Sequence, residues 1–185
     1  MSTQTTPAPT KVITGKVRFS YLHVFEPKAI DGSSDAKYSV SLIIPKSDTE
    51  TIEKVKAAIK SATEAGKATF GNKIPANLKT PLRDGDEERP DDPAYKDAYF
   101  INANSKNKPG LVDKDRQPII DKDEMYSGCY GRASVNFYAY NTNGNKGIAA
   151  GLNHLQKLAD GEPLGNITRA EDDFADDFQD DDLLG

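Results

Sequence analysis

Residues 130–140 read YGRASVNFYAY. Side chains of a strand alternate between faces. Gly131, Ala133, Val135, Phe137 and Ala139 therefore share one face, and Tyr130, Arg132, Asn136, Tyr138 and Tyr140 share the other. The first is an ordinary core face. The second presents flat rings, a planar cation and an amide. Such groups suit single-stranded nucleic acid: bases stack on aromatics for about 1–3 kcal/mol each, and cations meet the phosphates. Two other stretches carry matching chemistry, Lys16 with Arg18, and Phe100 with Asn102, Asn104, Lys106 and Lys108. Lys79 and Arg83 are weaker members of the same set. Tyrosines at strand spacing also stack on neighbouring strands as plain packing. That reading stays open for the stripe alone, while three similar stretches favour a binding surface.

The C-terminal residues AEDDFADDFQDDDLLG form the second chemical feature. Glu171, Asp172, Asp173, Asp176, Asp177, Asp180, Asp181 and Asp182 carry the charge, interrupted by Phe174 and Phe178 and closed by Leu183 and Leu184. A run of this kind is predicted to be a disordered tail. Acid with spaced hydrophobes also makes a peptide that docks into a basic, apolar groove. It equally places a polyanion where it competes with nucleic acid for a basic surface.

Other constellations carry less chemistry. His23 and His154 have no metal-ligand spacing with Cys129 and read as surface or strand residues. Asp84, Asp86, Glu87, Glu88, Asp91 and Asp92 match the acid content of a Mg²⁺-dependent nuclease. Arg83, Arg89 and the surrounding prolines favour a self-neutralising loop there. No catalytic residue, metal site or cofactor signature is predicted.

The elements that must position these groups follow from periodicity. Residues 12–25 and 36–44 alternate as two strands joined by a turn at 31–34, an antiparallel hairpin. Ser47 or Asp48 caps a helix whose apolar stripe is Ile52, Val55, Ala58, Ile59 and Ala62, with Gly66 at its C′ position. Residues 71–97 are a long connection with four prolines, a length that marks a functional or disordered loop. Strands follow at 99–105, 128–140 and 148–158, with a short LVD segment between and Asn143-Gly144 as a hairpin turn. The order predicts a mainly β protein with one packed α-helix: an OB-fold-like antiparallel barrel with a long inserted loop and an acidic tail. The expected divisions are a disordered 1–10, a binding domain over 11–168 and a tail over 169–185.

Composition agrees once it is segmented. The 185 residues carry a net charge of −5, but eight of the 29 acids lie in the tail without a base. Residues 1–170 thus hold 21 acids against 24 bases, a body of about +3. No apolar run is long enough to span a membrane, the N-terminus has no signal-peptide core, and the lone Cys129 suits a reducing compartment. A cytoplasmic protein is expected.

The stretches GKVRFSYLHVFEPKA (15–29), YSVSLIIPKSD (38–48), PLRDGDEERPDDPAY (81–95), FINANSKNKPGLVD (100–113) and YSGCYGRASVNFYAYNTNGNKGIAAGLN (126–153) occur in this order. Together they resemble a family of phage-encoded single-stranded DNA-binding proteins, formerly catalogued as a domain of unknown function. With the tail, the resemblance covers nearly all of 12–185. It implies an OB-fold core and sequence-independent binding that coats single-stranded DNA in phage replication or recombination, in the host cytoplasm. It also implies a tail that modulates DNA binding or recruits replication proteins; as a competing polyanion, such a tail is expected on removal to tighten DNA binding and to extend it to duplex. The tail resembles bacterial single-stranded-binding tails in its acids, but it ends Leu-Leu-Gly rather than in a proline-phenylalanine pair. Two readings from other classes remain: the 84–92 nuclease, and a protein-interaction module whose tyrosine face makes a homodimer.

Overall fold

A computed structural model describes residues 9–29 and 36–164; the acidic tail and residues 1–8 lie outside the described residues. The alternating stretches form β1 (Lys11–Ile13), β2 (Val17–Lys28), β3 (Lys37–Pro45), β4 (Leu82–Asp84), β5 (Ala98–Ser105), β6 (Gly110–Val112), β7 (Tyr130–Thr142) and β8 (Asn145–Ala159). The helices are α1 (Thr49–Ala65) and the single turn α2 (Gly85–Glu88).

Five of these strands close a ring. β2 pairs with β3, β3 with β5, β5 with β8, β8 with β7, and β7 returns to β2 through Val17 opposite Gly131. The result is a Greek-key barrel of the OB type. It is antiparallel except at one seam, where β5 and β8 run parallel through Ala103 opposite Ala150 and Asn104 opposite Gly151. β1 continues the line of β2 along β7, while β4 and β6 extend the sheet from β5 and β8.

The interior is what the alternation predicts. Val17, Phe19, Val40, Leu42, Ile44, Ile101, Ala103, Ala133, Val135, Phe137, Ile148, Ala150 and Leu155 are all buried in one cluster. Each large member contributes about 1.5–3 kcal/mol by leaving water. Ile52, Val55, Ala58 and Ala62 of α1 join that cluster, so the helix lies against β7 and β1. Asp48 caps α1 by accepting from the Thr51 N–H at 3.2 Å.

Two expectations need correction. Gly66 ends α1 with φ −92°, so no left-handed cap demands a glycine there. Close approach does: a Cβ on Gly66 would lie 2.1 Å from the Ala139 Cβ. The 71–97 connection, expected as a loop, contains β4 and α2 and lies on the barrel. Tyr95 and Ala98 form a second buried cluster with Ile43 and Phe100 on the outer face of β3 and β5. The Tyr95 hydroxyl donates to Ser41 Oγ at 3.0 Å to complete that contact. Asn143 (φ 52°) and Gly144 (φ 85°) form the expected left-handed hairpin turn.

Gly66→Ala should cost about 1–3 kcal/mol in urea unfolding, the range for overpacking a filled site. Ala139→Gly in the same chain should recover part of that loss. No recovery would mean the clash lies elsewhere.

Candidate nucleic-acid interface

β7 carries the predicted stripe on its outer face, with Gly131, Ala133, Val135 and Phe137 buried behind it. Its neighbour β8 sets Gln156 opposite Arg132, Gly151 opposite Asn136, Ala149 opposite Tyr138 and Gly147 opposite Tyr140. Small partners leave the Tyr138 ring 43% exposed beside Gly151. Arg132 Nε donates to Gln156 Oε1 at 2.9 Å, and Gln156 in turn donates to the Asp113 carbonyl, so an exposed cation is held by a braced amide.

The stripe is not one patch. Eight residues at about 3.3 Å each separate Tyr130 from Tyr138 by roughly 26 Å. At the Tyr130 end, Lys16 Nζ and Arg18 Cζ lie 5.2 and 5.4 Å from the ring centroid. Arg18 donates Nε to the Gly128 carbonyl at 3.0 Å and Nη2 to the Glu162 carbonyl at 2.6 Å. Residues 160–164 form a strap over this corner: a Cβ on Gly161 would sit 2.7 Å from a Tyr130 ring carbon. Leu164 packs against the second buried cluster. Lys16, Arg18 and Tyr130 are thus brought together, with the strap as a partner of Arg18 and Tyr130.

Phe100 is a plain correction. It is 1% exposed, meets Tyr95 edge-on with centroids 5.0 Å apart, and lies under Arg89. No base can reach that ring. The covering segment was not visible as packing in the sequence because its contacts are long-range.

The open surface lies at the other end of the barrel. Registers place His23 opposite Ser39, Ser39 opposite Asn104, Asn104 opposite Gly151, Gly151 opposite Asn136, and Asn136 opposite Lys11. This row of hydroxyl, amide and cationic groups crosses the sheet, and its four steps from β2 to β7 span roughly 19 Å. An open groove of about 500 Å³ adjoins it, lined by Lys11, Asn107, Lys108, Asn136, Asn153 and His154 among others. Thr10 Oγ1 donates to Asn136 Oδ1 at 3.2 Å, fixing that amide. The Gly110 N–H donates to His154 Nδ1 at 3.1 Å, leaving Nε2 to donate outward. His23 is held below its ordinary pKa, first by partial burial and then by Lys28.

Lys11, Asn107, Asn153 and His154 were missed. The amide-rich NANSKNK run points to Asn102, Asn104, Lys106 and Lys108 without singling out Asn107, and GLNH (151–154) carries only a strand pattern. Lys106 is exposed beside this groove. Lys79 is exposed next to the β7–β8 hairpin, where its carbonyl accepts from the Ile148 N–H at 2.8 Å. Arg83 stands opposite Phe100, with Nη1 3.5 Å from Glu88 Oε1.

The 84–92 carboxylates have partners of their own. Lys46 Nζ lies 2.9 Å from Asp84 Oδ1 and 2.8 Å from Asp86 Oδ2. Asp92 caps the Ala94 N–H, and Asp86 accepts from the Asp97 N–H. The hydrogen bond from Lys46, then that from Asp97, holds the Asp86 carboxyl below its ordinary value, while the Lys46 ammonium is pushed up. Among the described residues no three His, Cys, Asp or Glu side chains converge as a metal site, and no helix is long and apolar enough to cross a membrane.

The model of a family described as "Enterobacter phage Enc34, ssDNA-binding protein" matches residues 10–184. The chain belongs to that family. A similar protein, "Putative protein p50" of Acyrthosiphon pisum secondary endosymbiont phage 1, is 33% identical over 174 residues, covering 88% of this chain and 91% of the relative. The single-stranded DNA-binding protein of bacteriophage Enc34 in complex with ssDNA matches with TM-score 0.70 and 25% identity, over 84% of this chain and 90% of that one. The gp2.5 single-stranded DNA-binding protein of bacteriophage T7 shares the fold at TM-score 0.60 and 14% identity, over 92% of this chain and 95% of that one.

The depressed Asp86 carboxyl gives a pH test. A carboxylate whose pKa falls on folding adds stability above its unfolded value, and that stability is lost as pH falls through the folded value. Protection of the Asp97 amide against hydrogen exchange should therefore be present at neutral pH and lost in acid below about pH 4. Lys46→Met should lose it at neutral pH. Equal protection in both proteins would show that the ion pair does not anchor 82–97.

Proposed function

We propose that this chain binds single-stranded DNA without strong sequence preference and coats it in phage DNA replication or recombination, in the host cytoplasm. The observation that carries the reading is the five-strand row from His23 to Asn136, flanked by exposed Tyr138 and by the cations of the 500 Å³ groove. An OB barrel offers its second and third strands and adjoining loops to oligonucleotides. Here those strands are β3 and β5, and half of their outer face is already covered by Tyr95 and Arg89. The DNA path is therefore displaced toward Asn102, Asn104, Asn136 and Tyr138. Tyr138 and Tyr140 stack bases; Lys11, Lys106, Lys108 and Arg132 meet phosphates; Asn104 and Asn136 reach base edges. Lys79 and Arg83 lie at the periphery. Lys16, Arg18 and Tyr130 face DNA only where the strap leaves them.

Tyr138→Ala should weaken oligo-dT binding about 5- to 150-fold by fluorescence anisotropy, the range of one lost stacking contact. Affinity should fall steeply with salt. Each of Lys11→Ala and Lys108→Ala should reduce the slope of log K against log salt by roughly 0.7. A salt-independent affinity would contradict the phosphate contacts. Cleavage of the same DNA with Mg²⁺ would instead favour the 84–92 nuclease. A change of assembly state by Tyr138→Ala at constant DNA affinity would favour a homodimer interface.

The acidic tail, Glu171–Asp182 with Phe174, Phe178, Leu183 and Leu184, competes for this surface and presents a docking peptide to replication or recombination proteins. Deleting residues 171–185 should tighten single-stranded binding and bring duplex binding into range. Unchanged or weaker affinity would remove the competition model.

A further inference from the structure

We infer that Tyr21, braced by Arg89, is an additional base-stacking platform at the β2 end of the same path; this rests on the single-stranded-DNA reading above. Neither residue belongs to the tyrosine stripe or to the groove. The pairing of β2 with β3 slips between Ser20 and His23, a bulge that re-aims the intervening side chains. Tyr21 sits in that bulge with φ 46°, a left-handed conformation uncommon for a bulky side chain. Such backbone persists only where the surroundings enforce it, and it collects at ligand clamps.

The surroundings are specific. Arg89 Cζ lies 5.2 Å from the Tyr21 ring centroid, 4.9 Å from that of Tyr95 and 5.0 Å from that of Phe100. Arg89 Nη1 donates to the Tyr21 hydroxyl at 3.4 Å. Glu87, Glu88, Asp91 and Asp92 flank Arg89 in sequence, yet among the described residues it forms no ion pair. Its guanidinium is held instead between buried aromatics below and one exposed ring above. Tyr95 and Phe100 are fully buried, whereas Tyr21 is 53% exposed. The column thus ends in an aromatic ring fixed in place, with surface free for a second flat group. It lies one step from the His23–Ser39 pair that begins the polar row. A base stacked there continues the strand that Tyr138 holds across the barrel. Arg89 acts as a positioning residue for the ring.

The test uses the full chain with oligo-dT and with an abasic oligomer of the same length. Tyr21→Ala should weaken oligo-dT binding about 5- to 150-fold and leave abasic binding unchanged. Tyr21→Gly, which the left-handed backbone accepts without strain, should do the same, while Tyr21→Phe keeps wild-type affinity. Arg89→Lys retains charge without the planar fork and should lower only the base-dependent part. Unchanged oligo-dT affinity in Tyr21→Ala, or equal loss on both oligomers, overturns the platform. Failure of the wild-type chain to bind oligo-dT overturns the function itself, and the platform with it.

Discussion

The barrel closes on two backbone pairs, Ala103 with Ala150 and Asn104 with Gly151, and the polar row across its outer face depends on that short parallel seam. Every other strand contact in the ring is antiparallel: the β2–β3 and β7–β8 hairpins and the long-range pairings of β3 with β5 and β2 with β7. The seam joins the β3–β5 edge to the β7–β8 ladder, and the equally short pairing of β2 with β7 closes the ring on the other side. Alanines on its inner side pack in the core, and Asn104 beside Gly151 on its outer side brings Asn136 into one row with Ser39 and His23. Without the seam, the amides of residues 102–104 and the tyrosines of 138–140 would lie toward opposite edges of an open sheet, β5-β3-β2-β7-β8.

The covered half of the outer face follows from a different balance. Residues 82–97 are rich in acid, yet Asp84 and Asp86 are drawn to Lys46 and Glu88 to Arg83. This leaves Arg89 to aromatic rings. Burying Tyr95 and Phe100 beneath a cation draws on both apolar burial and the attraction of a guanidinium for ring faces. The surface that remains is polar with the Tyr21 and Tyr138 rings exposed on it, which suits stacking contacts that tolerate any base.

Much of this was legible. The alternation of 130–140 separated core from surface, Ser47 or Asp48 marked the start of α1, which Asp48 caps, and Asn143-Gly144 marked the hairpin. The placement of Tyr130 and Phe100 was not. Their coverage comes from residues 160–164 and 89–95, which are distant or lack periodicity, so no local pattern announces them. Lys11, Asn153 and His154 join the groove because β1 and β8 flank β7, a consequence of register that a single strand's pattern does not contain. Tyr21 falls on an irregular step of β2, where the rule of alternation stops applying.

The position of the DNA path is tested most directly by amide chemical-shift perturbation in the ¹⁵N-labelled protein titrated with oligo-dT. The largest changes should trace Tyr21, His23, Ser39, Asn104, Asn107, Asn136, Tyr138 and Gly151–His154, with little change at Arg18, Tyr130 and Gly161. Perturbations centred on Arg18, Tyr130 and the strap, with the row unmoved, would contradict the account.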